Sequence, residues 1–340
     1  MRRFLKKCCL IVAPVWLATL ALLVYYTQHV EPNMNGEMGP LGKLVFPPEN
    51  KENVAIDTFY YTNFDDEHFI ADTTVDVLTV GDSFSQQSYG SYENFLALGG
   101  LSVINFHANQ NMFQTAYDLM NLGLADSAHV KTIVVESVER FVVQRLTSLV
   151  WDNKEVVKSL IGGGKDAAVN ADDHSAGQRS PLIETKNFLL LRLGVHRPVR
   201  HCRVDGDFFT GDTGRNLYFL EEDLTVMGVS AGQEKLIQDN IRRLTDKADS
   251  LGIRLVFMLV PDKYDVYQHH IVDNPYAEKT VTDDLRRLLA DRSTWFMARD
   301  VVLPLVEAGE QDVYPLSCTH WSYRTARQVA ADLAPMVKSQ

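Results

Sequence analysis

Val75-Asp-Val-Leu-Thr-Val-Gly-Asp-Ser-Phe-Ser85 is a short β-branched apolar run ending in a turn that carries one prominent hydroxyl, Ser83. Val75, Val77, Leu78 and Val80 have the composition of a buried strand, and Gly81 bounds it. In open α/β sheets, ligands collect outside the carboxyl ends of the strands. A serine at such an end is well placed for chemistry.

Working outward, Leu101-Ser-Val-Ile-Asn-Phe106 and Lys131-Thr-Ile-Val-Val-Glu136 repeat the strand composition. Between the strands, Tyr89 to Leu98 has helical character. So does Phe113 to Leu124, where Phe113, Ala116, Tyr117, Met120 and Leu124 share one face. The order β-α-β-α-β predicts a parallel, doubly wound sheet with right-handed crossovers. Further on, Gln233 to Leu251 is an amphipathic helix stopped by Gly252. It leads into Ile253-Arg-Leu-Val-Phe-Met-Leu-Val260, the strongest strand of the chain, which ends at Pro261. Asn216 to Leu220 suits a strand of a small hairpin, and helices are expected over Asp283–Asp291 and Ala326–Val337. The pattern weakens around residues 151–215, which read as an insertion, and no internal repeat is visible.

The N-terminus carries a targeting signal. Arg2, Arg3, Lys6 and Lys7 precede a charge-free apolar run from Cys8 to Tyr26, close to the roughly 17–25 residues that span a bilayer. Basic residues stay cytoplasmic, so residues 1–7 form a cytoplasmic tail and everything after Tyr26 is expected outside, in a periplasmic or equivalent compartment. No small-x-small cleavage site closes the run, which favours a retained single-pass anchor over a cleaved signal. Residues 27–56, rich in Pro and Gly, form a linker, and the folded domain is placed at 57–340.

The net charge is −11, and removing the four N-terminal bases leaves 29 bases against 44 acids. Phosphate backbones would repel such a body, so nucleic acid is not an expected partner. Cys202 and Cys318 lie in the exported part, where a disulfide between them is permitted. His269-His270 lacks a third ligand at useful spacing, so neither a metal nor another cofactor is expected.

Chemistry concentrates at two places. A hydroxyl just after a strand and before a helix sits near free N–H groups that can stabilise an oxyanion; the bland alternative is a helix-capping serine. The second place is Asp312-Val-Tyr-Pro-Leu-Ser-Cys-Thr-His-Trp-Ser322, a loop before the last helix. His320 is the natural base for a serine nucleophile, and Trp321 could wall the site. The alternative is a capping loop with a structural histidine.

Gly81-Asp-Ser-Phe-Ser85 and Thr319-His-Trp-Ser322 together resemble the SGNH/GDSL hydrolase superfamily, and within it the alginate O-acetyltransferase proteins of the AlgX/AlgJ type. Val135-Glu-Ser-Val-Glu-Arg140 is similar to that group's Glu-x-x-Glu-Arg segment, and Leu259-Val-Pro-Asp-Lys-Tyr-Asp-Val-Tyr267 to its Pro-x-Lys-x-x-x-Tyr strand end. The resemblance implies a flavodoxin-like three-layer α/β/α sandwich and an acyl-serine intermediate. It also implies acetyl transfer to an exported polysaccharide, with a membrane-bound acyltransferase as acyl donor.

Two departures stand out. In the alginate proteins the His motif precedes the Ser motif, whereas here Ser83 comes first. The family's acid sits two residues before the histidine, where this chain has Cys318; the commoner offset of three falls on Ser317. Asp312 or Glu310 could supply an acid from the same loop, or a backbone carbonyl could hold a Ser-His dyad. By the superfamily pattern, Asn109 and Asn111 are the candidate oxyanion donors. Lys263, Tyr264 and Tyr267 are candidates for a sugar groove, and Glu136 with Arg140 for a structural ion pair. The expectation is an anchored O-acyltransferase. Its alternatives are an esterase using the same Ser-His site and a catalytically impaired polysaccharide-binding or assembly protein.

Overall fold

The computed structural model describes residues 12–21, 56, 58–63, 74–108, 111–123, 129–151, 186, 189–190, 199–210, 214–289 and 294–338. Residues 12–21 are helical. They are the described part of the expected anchor, and among the described residues no helix is long and apolar enough to cross a membrane. All of the linker but its last residue, most of the insertion and Asn109 lie outside the described residues.

Among the described residues six strands make one sheet: β1 (Thr62–Asn63), β2 (Val77–Gly81), β3 (Val103–His107), β4 (Thr132–Val138), β7 (Arg254–Val260) and β8 (Trp295–Met297). Their order is β1-β3-β2-β4-β7-β8, and every neighbouring pair is parallel. The doubly wound reading therefore holds. β4 is buried along its whole length and β7 along all but its first residue, because both faces of a parallel sheet are covered. β5 (Val199–Arg203) and β6 (Asn216–Leu220) form a separate antiparallel pair.

Two apolar clusters lie on opposite faces of the sheet. One joins alternate strand residues such as Val77, Val134 and Val256 to α1 (Tyr92–Leu98), α7 (Arg299–Glu307) and α8 (Tyr323–Val337). The other joins Leu78, Ile133 and Leu255 to α2 (Met112–Asn121), α3 (Glu139–Thr147), α4 (Ala231–Ser250) and α6 (Val281–Leu288). The alternation of adjacent strand residues between clusters follows from the two-residue period of a strand. Helix, sheet and helix are thus stacked as three layers.

Local chemistry explains the helix starts. Ser91 caps α1 by accepting the Asn94 N–H, and Ser230 and Gln233 form a capping box at α4. Periodicity did not show β1, β5, α3 or α7, nor two further elements. β8 has only three residues, and the helix α5 (Lys263–Tyr267) starts immediately after Pro261-Asp262.

The wiring fixes where a ligand can sit. β2 leads outward to β3 on one side, while β4 lies against β2 on its other side, so the chain reverses its direction of growth at β2. Such a reversal opens a crevice at the carboxyl end of that strand. Ser83 stands two residues past the end of β2.

Candidate active site

Ser83 opens a short 3-10 turn, Ser83–Gln86, rather than a long helix. Asp82 caps this turn, its Oδ1 accepting the Phe84 N–H at 3.3 Å. The first N–H groups of such a turn have no partner within it, which leaves the Ser83 N–H available to an oxyanion. His320 comes from the loop before α8, and its Nε2 lies 2.7 Å from Ser83 Oγ across 237 residues of sequence. The structure brings nucleophile and base candidates into direct hydrogen-bond contact. His320 is 9% exposed, with its ring against Phe84 at 4.6 Å between centroids, so a proton received there is held away from bulk water.

The turn rests on buried charge. Asp82 Oδ2 accepts from Arg145 Nη1 at 2.7 Å and from the Val138 N–H at 3.1 Å, while the Asp82 N–H donates to Glu136 Oε2 at 2.9 Å. Burial pushes the Asp82 carboxyl up, but the Arg145 charge and these hydrogen bonds outweigh it and hold the group below its usual range. Glu136 goes the other way: burial, then the Asp82 charge, raise it well above an ordinary carboxyl and so favour its protonated form. Gly81 has to be glycine for space, because a Cβ there would lie 2.6 Å from both Glu136 Oε2 and Ser85 Oγ.

The loop bearing His320 is pinned from below by a lysine. Lys263 is fully buried, and its Nζ donates to the carbonyls of Pro315 at 2.6 Å, Leu316 at 3.0 Å and Cys318 at 3.1 Å. Ser322 then caps α8 by accepting the Thr325 N–H, and its own N–H returns to the Val313 carbonyl. On the far side of His320, Cys318 Sγ lies 3.5 Å from Nδ1 and accepts the His320 main-chain N–H at 3.4 Å.

Other expected site residues are placed differently. Lys263, Tyr264 and Tyr267 do not line a groove: all three are fully buried, because α5 plunges into the core where the sheet and β6 meet. Trp321 is buried too and backs the site, its ring edge-on to Phe84 and its carbonyl accepting from Gln87 Nε2 at 2.8 Å. Asn111 caps α2 with Oδ1 and donates Nδ2 to the Arg145 carbonyl at 2.6 Å, so its polar atoms are used locally. Asp312 is turned from the histidine, its two carboxylate oxygens binding the Thr210 N–H at 3.1 Å and hydroxyl at 2.5 Å. Glu310 faces Arg324 at 3.9 Å.

Glu136 and Arg140 are not each other's partners. Glu136 belongs to the Asp82 cluster, whereas Arg140 pairs with Asp262 at 2.8 Å in a second buried network that includes Asp223 and Lys279. Cys202 and Cys318 are both free, so no disulfide joins them. Among the described residues no group of three or more His, Cys, Asp or Glu side chains is placed to hold a metal. Sequence reasoning missed Asp82 and Arg145, although Asp82 sits inside the quoted stretch; only tertiary contact shows that its carboxylate supports the turn.

Residues 215–340 match the family model described as ALGX: SGNH hydrolase-like domain, acetyltransferase AlgX. The chain is similar to SGNH hydrolase-like proteins of the AlgX type over that part, which includes Lys263, Cys318 and His320 but not Ser83. No curated protein and no solved structure matches the chain.

Proposed function

We propose that the chain is a membrane-anchored, extracytoplasmic O-acyltransferase that acetylates an exported or cell-surface polysaccharide through an acyl-serine intermediate. The observation that carries the reading is the 2.7 Å contact between Ser83 Oγ and His320 Nε2 at the carboxyl end of a central parallel strand. The similarity of residues 215–340 to an AlgX-type acetyltransferase domain supports the choice of acetyl group and polysaccharide. The basic N-terminus and the apolar run from Cys8 to Tyr26 support placement on the outer face of the cell membrane.

In this mechanism Ser83 Oγ attacks the carbonyl carbon of an acetyl donor while His320 Nε2 takes the hydroxyl proton. The oxyanion forms at the Ser83 N–H, at the open start of the 3-10 turn. As the intermediate collapses, the C–O bond to the leaving group breaks, and the proton on Nε2 passes to that leaving oxygen. The acceptor sugar hydroxyl then gives its proton to Nε2 and attacks the acyl-serine, and Ser83 recovers its proton as the new ester departs. By resemblance, the acyl donor is a membrane-bound acyltransferase partner.

The test uses the full chain in detergent. A fluorophosphonate probe should label the wild type and not Ser83→Ala. With an activated acetyl ester, acetate should appear on an added polysaccharide. Labelling that persists in Ser83→Ala would overturn the nucleophile assignment, and free acetate unaffected by polysaccharide would make the protein an esterase.

A further inference from the structure

Resting on the acyl-serine reading above, we propose that the sulfur of Cys318 is the positioning residue for His320, standing where a triad would place a carboxylate. It accepts the Nδ1–H and so holds the imidazole in the tautomer whose Nε2 lone pair faces Ser83.

Three observations converge. The first is the position of Sγ, 3.5 Å from Nδ1, on the opposite side of the ring from the 2.7 Å contact between Nε2 and Ser83 Oγ. The second is direction. The main-chain N–H of His320, which can only donate, points at the same sulfur at 3.4 Å, so the lone-pair side of Sγ is turned toward His320. The third is rigidity: the Cys318 N–H is bound to the Pro315 carbonyl at 3.2 Å and the Cys318 carbonyl to buried Lys263 at 3.1 Å. A side chain with one rotatable bond on so fixed a backbone has little freedom to leave the ring.

The proton's location decides whether the arrangement works. If the thiol donated to Nδ1, the ring proton would sit on Nε2 and point at Ser83, and no base would face the hydroxyl. With sulfur as acceptor the proton is on Nδ1 and Nε2 is free to receive. Asp312 and Glu310, the acids nearest in sequence, bind Thr210 and Arg324 instead. Sulfur is a weak acceptor compared with a carboxylate. A carboxylate oxygen also reaches further from Cβ, so aspartate at 318 would close the gap toward the about 2.8 Å of a charge-assisted bond. The site is therefore an attenuated triad that a single substitution should strengthen.

The experiment measures the second-order rate of Ser83 labelling by a fluorophosphonate from pH 5 to 9 in the full chain, with thermal midpoints recorded in parallel. Cys318→Ala should label at least tenfold more slowly than wild type, with Cys318→Ser at or below wild type. Cys318→Asp should label at least tenfold faster than wild type, and the acid limb of its pH profile should move upward by about one unit, since a neighbouring carboxylate favours the imidazolium. A purely structural cysteine would slow labelling only as far as Cys318→Ala lowers the thermal midpoint, whereas loss of the Nδ1 partner slows it in a Cys318→Ala chain of unchanged midpoint. Wild-type rates in Cys318→Ala, or Cys318→Asp no faster than Cys318→Ala with a normal thermal midpoint, would overturn the proposal while leaving Ser83 as nucleophile. Equal labelling of wild type and Ser83→Ala would instead remove the acyl-serine reading, and this proposal with it.

Discussion

At the scale of single residues, Lys263 makes the heaviest demand on its surroundings. An ammonium group in a dry interior is costly unless its donors are used, and Lys263 meets that condition by giving hydrogen bonds to three carbonyls of one loop. Those carbonyls belong to residues 315–318, immediately before His320, so the lysine fixes the approach of the base to Ser83. Lys263→Met keeps the stem and removes the donors. Leaving buried acceptors unpaired costs about 1–3 kcal/mol each in other proteins, so the variant should lose at least about 2 kcal/mol in urea denaturation. Its Ser83 labelling should fall even at temperatures where it remains folded. A folded variant with wild-type stability and labelling would show that the loop holds itself.

At the scale of elements, the turn after β2 depends on what lies beneath it. Gly81→Ala would put a methyl carbon 2.6 Å from Glu136 Oε2 and Ser85 Oγ and 2.8 Å from Ser85 Cβ, with no flexible chain end on the Ser85 side to yield. Overpacking of this kind costs about 1–3 kcal/mol, and here the displaced segment carries the nucleophile. Gly100→Ala is the contrast: its φ of +90° makes alanine strained, but no atom lies within 4 Å of the new methyl. Both variants should be less stable, and only Gly81→Ala should label slowly. Equal labelling in the two would show that the turn adapts. The same elements show what the sequence could disclose. The apolar runs of β2, β4 and β7 announce a covered parallel sheet because alternation disappears when both faces are buried. Ser83 was legible from its place after such a run, and His320 from its place before a capped helix. α5 was misread because Lys and Tyr suggest a wet surface. Their burial depends on carbonyls supplied by residues 315–316 and 277, which no local pattern reveals. Asp312 failed as an acid for a similar reason: its left-handed backbone, φ 54°, goes with a side chain turned to Thr210.

At the scale of the whole molecule, buried acids set how stability responds to pH. Glu93, at the start of α1, is fully buried, and burial raises its carboxyl from 4.5 to about 8. Asp223 is raised to about 8 as well, by burial and then by the charge of Asp262. A raised carboxyl means that the folded chain keeps a proton that the unfolded chain releases, so stability falls as pH rises through the window from about 4.5 to about 8. Asp82 acts with the opposite sign, since its lowered value gives stability above the ordinary carboxyl range that is lost on acidification. The chain should therefore be most stable in mildly acidic solution and weaken toward pH 8. Glu93→Gln isolates one contributor, because the amide copies the shape of the protonated acid and cannot ionise. Urea denaturation at pH 4, 7 and 8.5 should give nearly equal stabilities for the two proteins at the lowest pH, which lies below the window. The variant should then be the more stable one at the highest, with a slope shallower by up to about 1.4 kcal/mol per pH unit. Parallel pH curves would mean that Glu93 ionises as readily in the folded chain as in the unfolded one, and its burial would then be relieved by solvent reaching the start of α1.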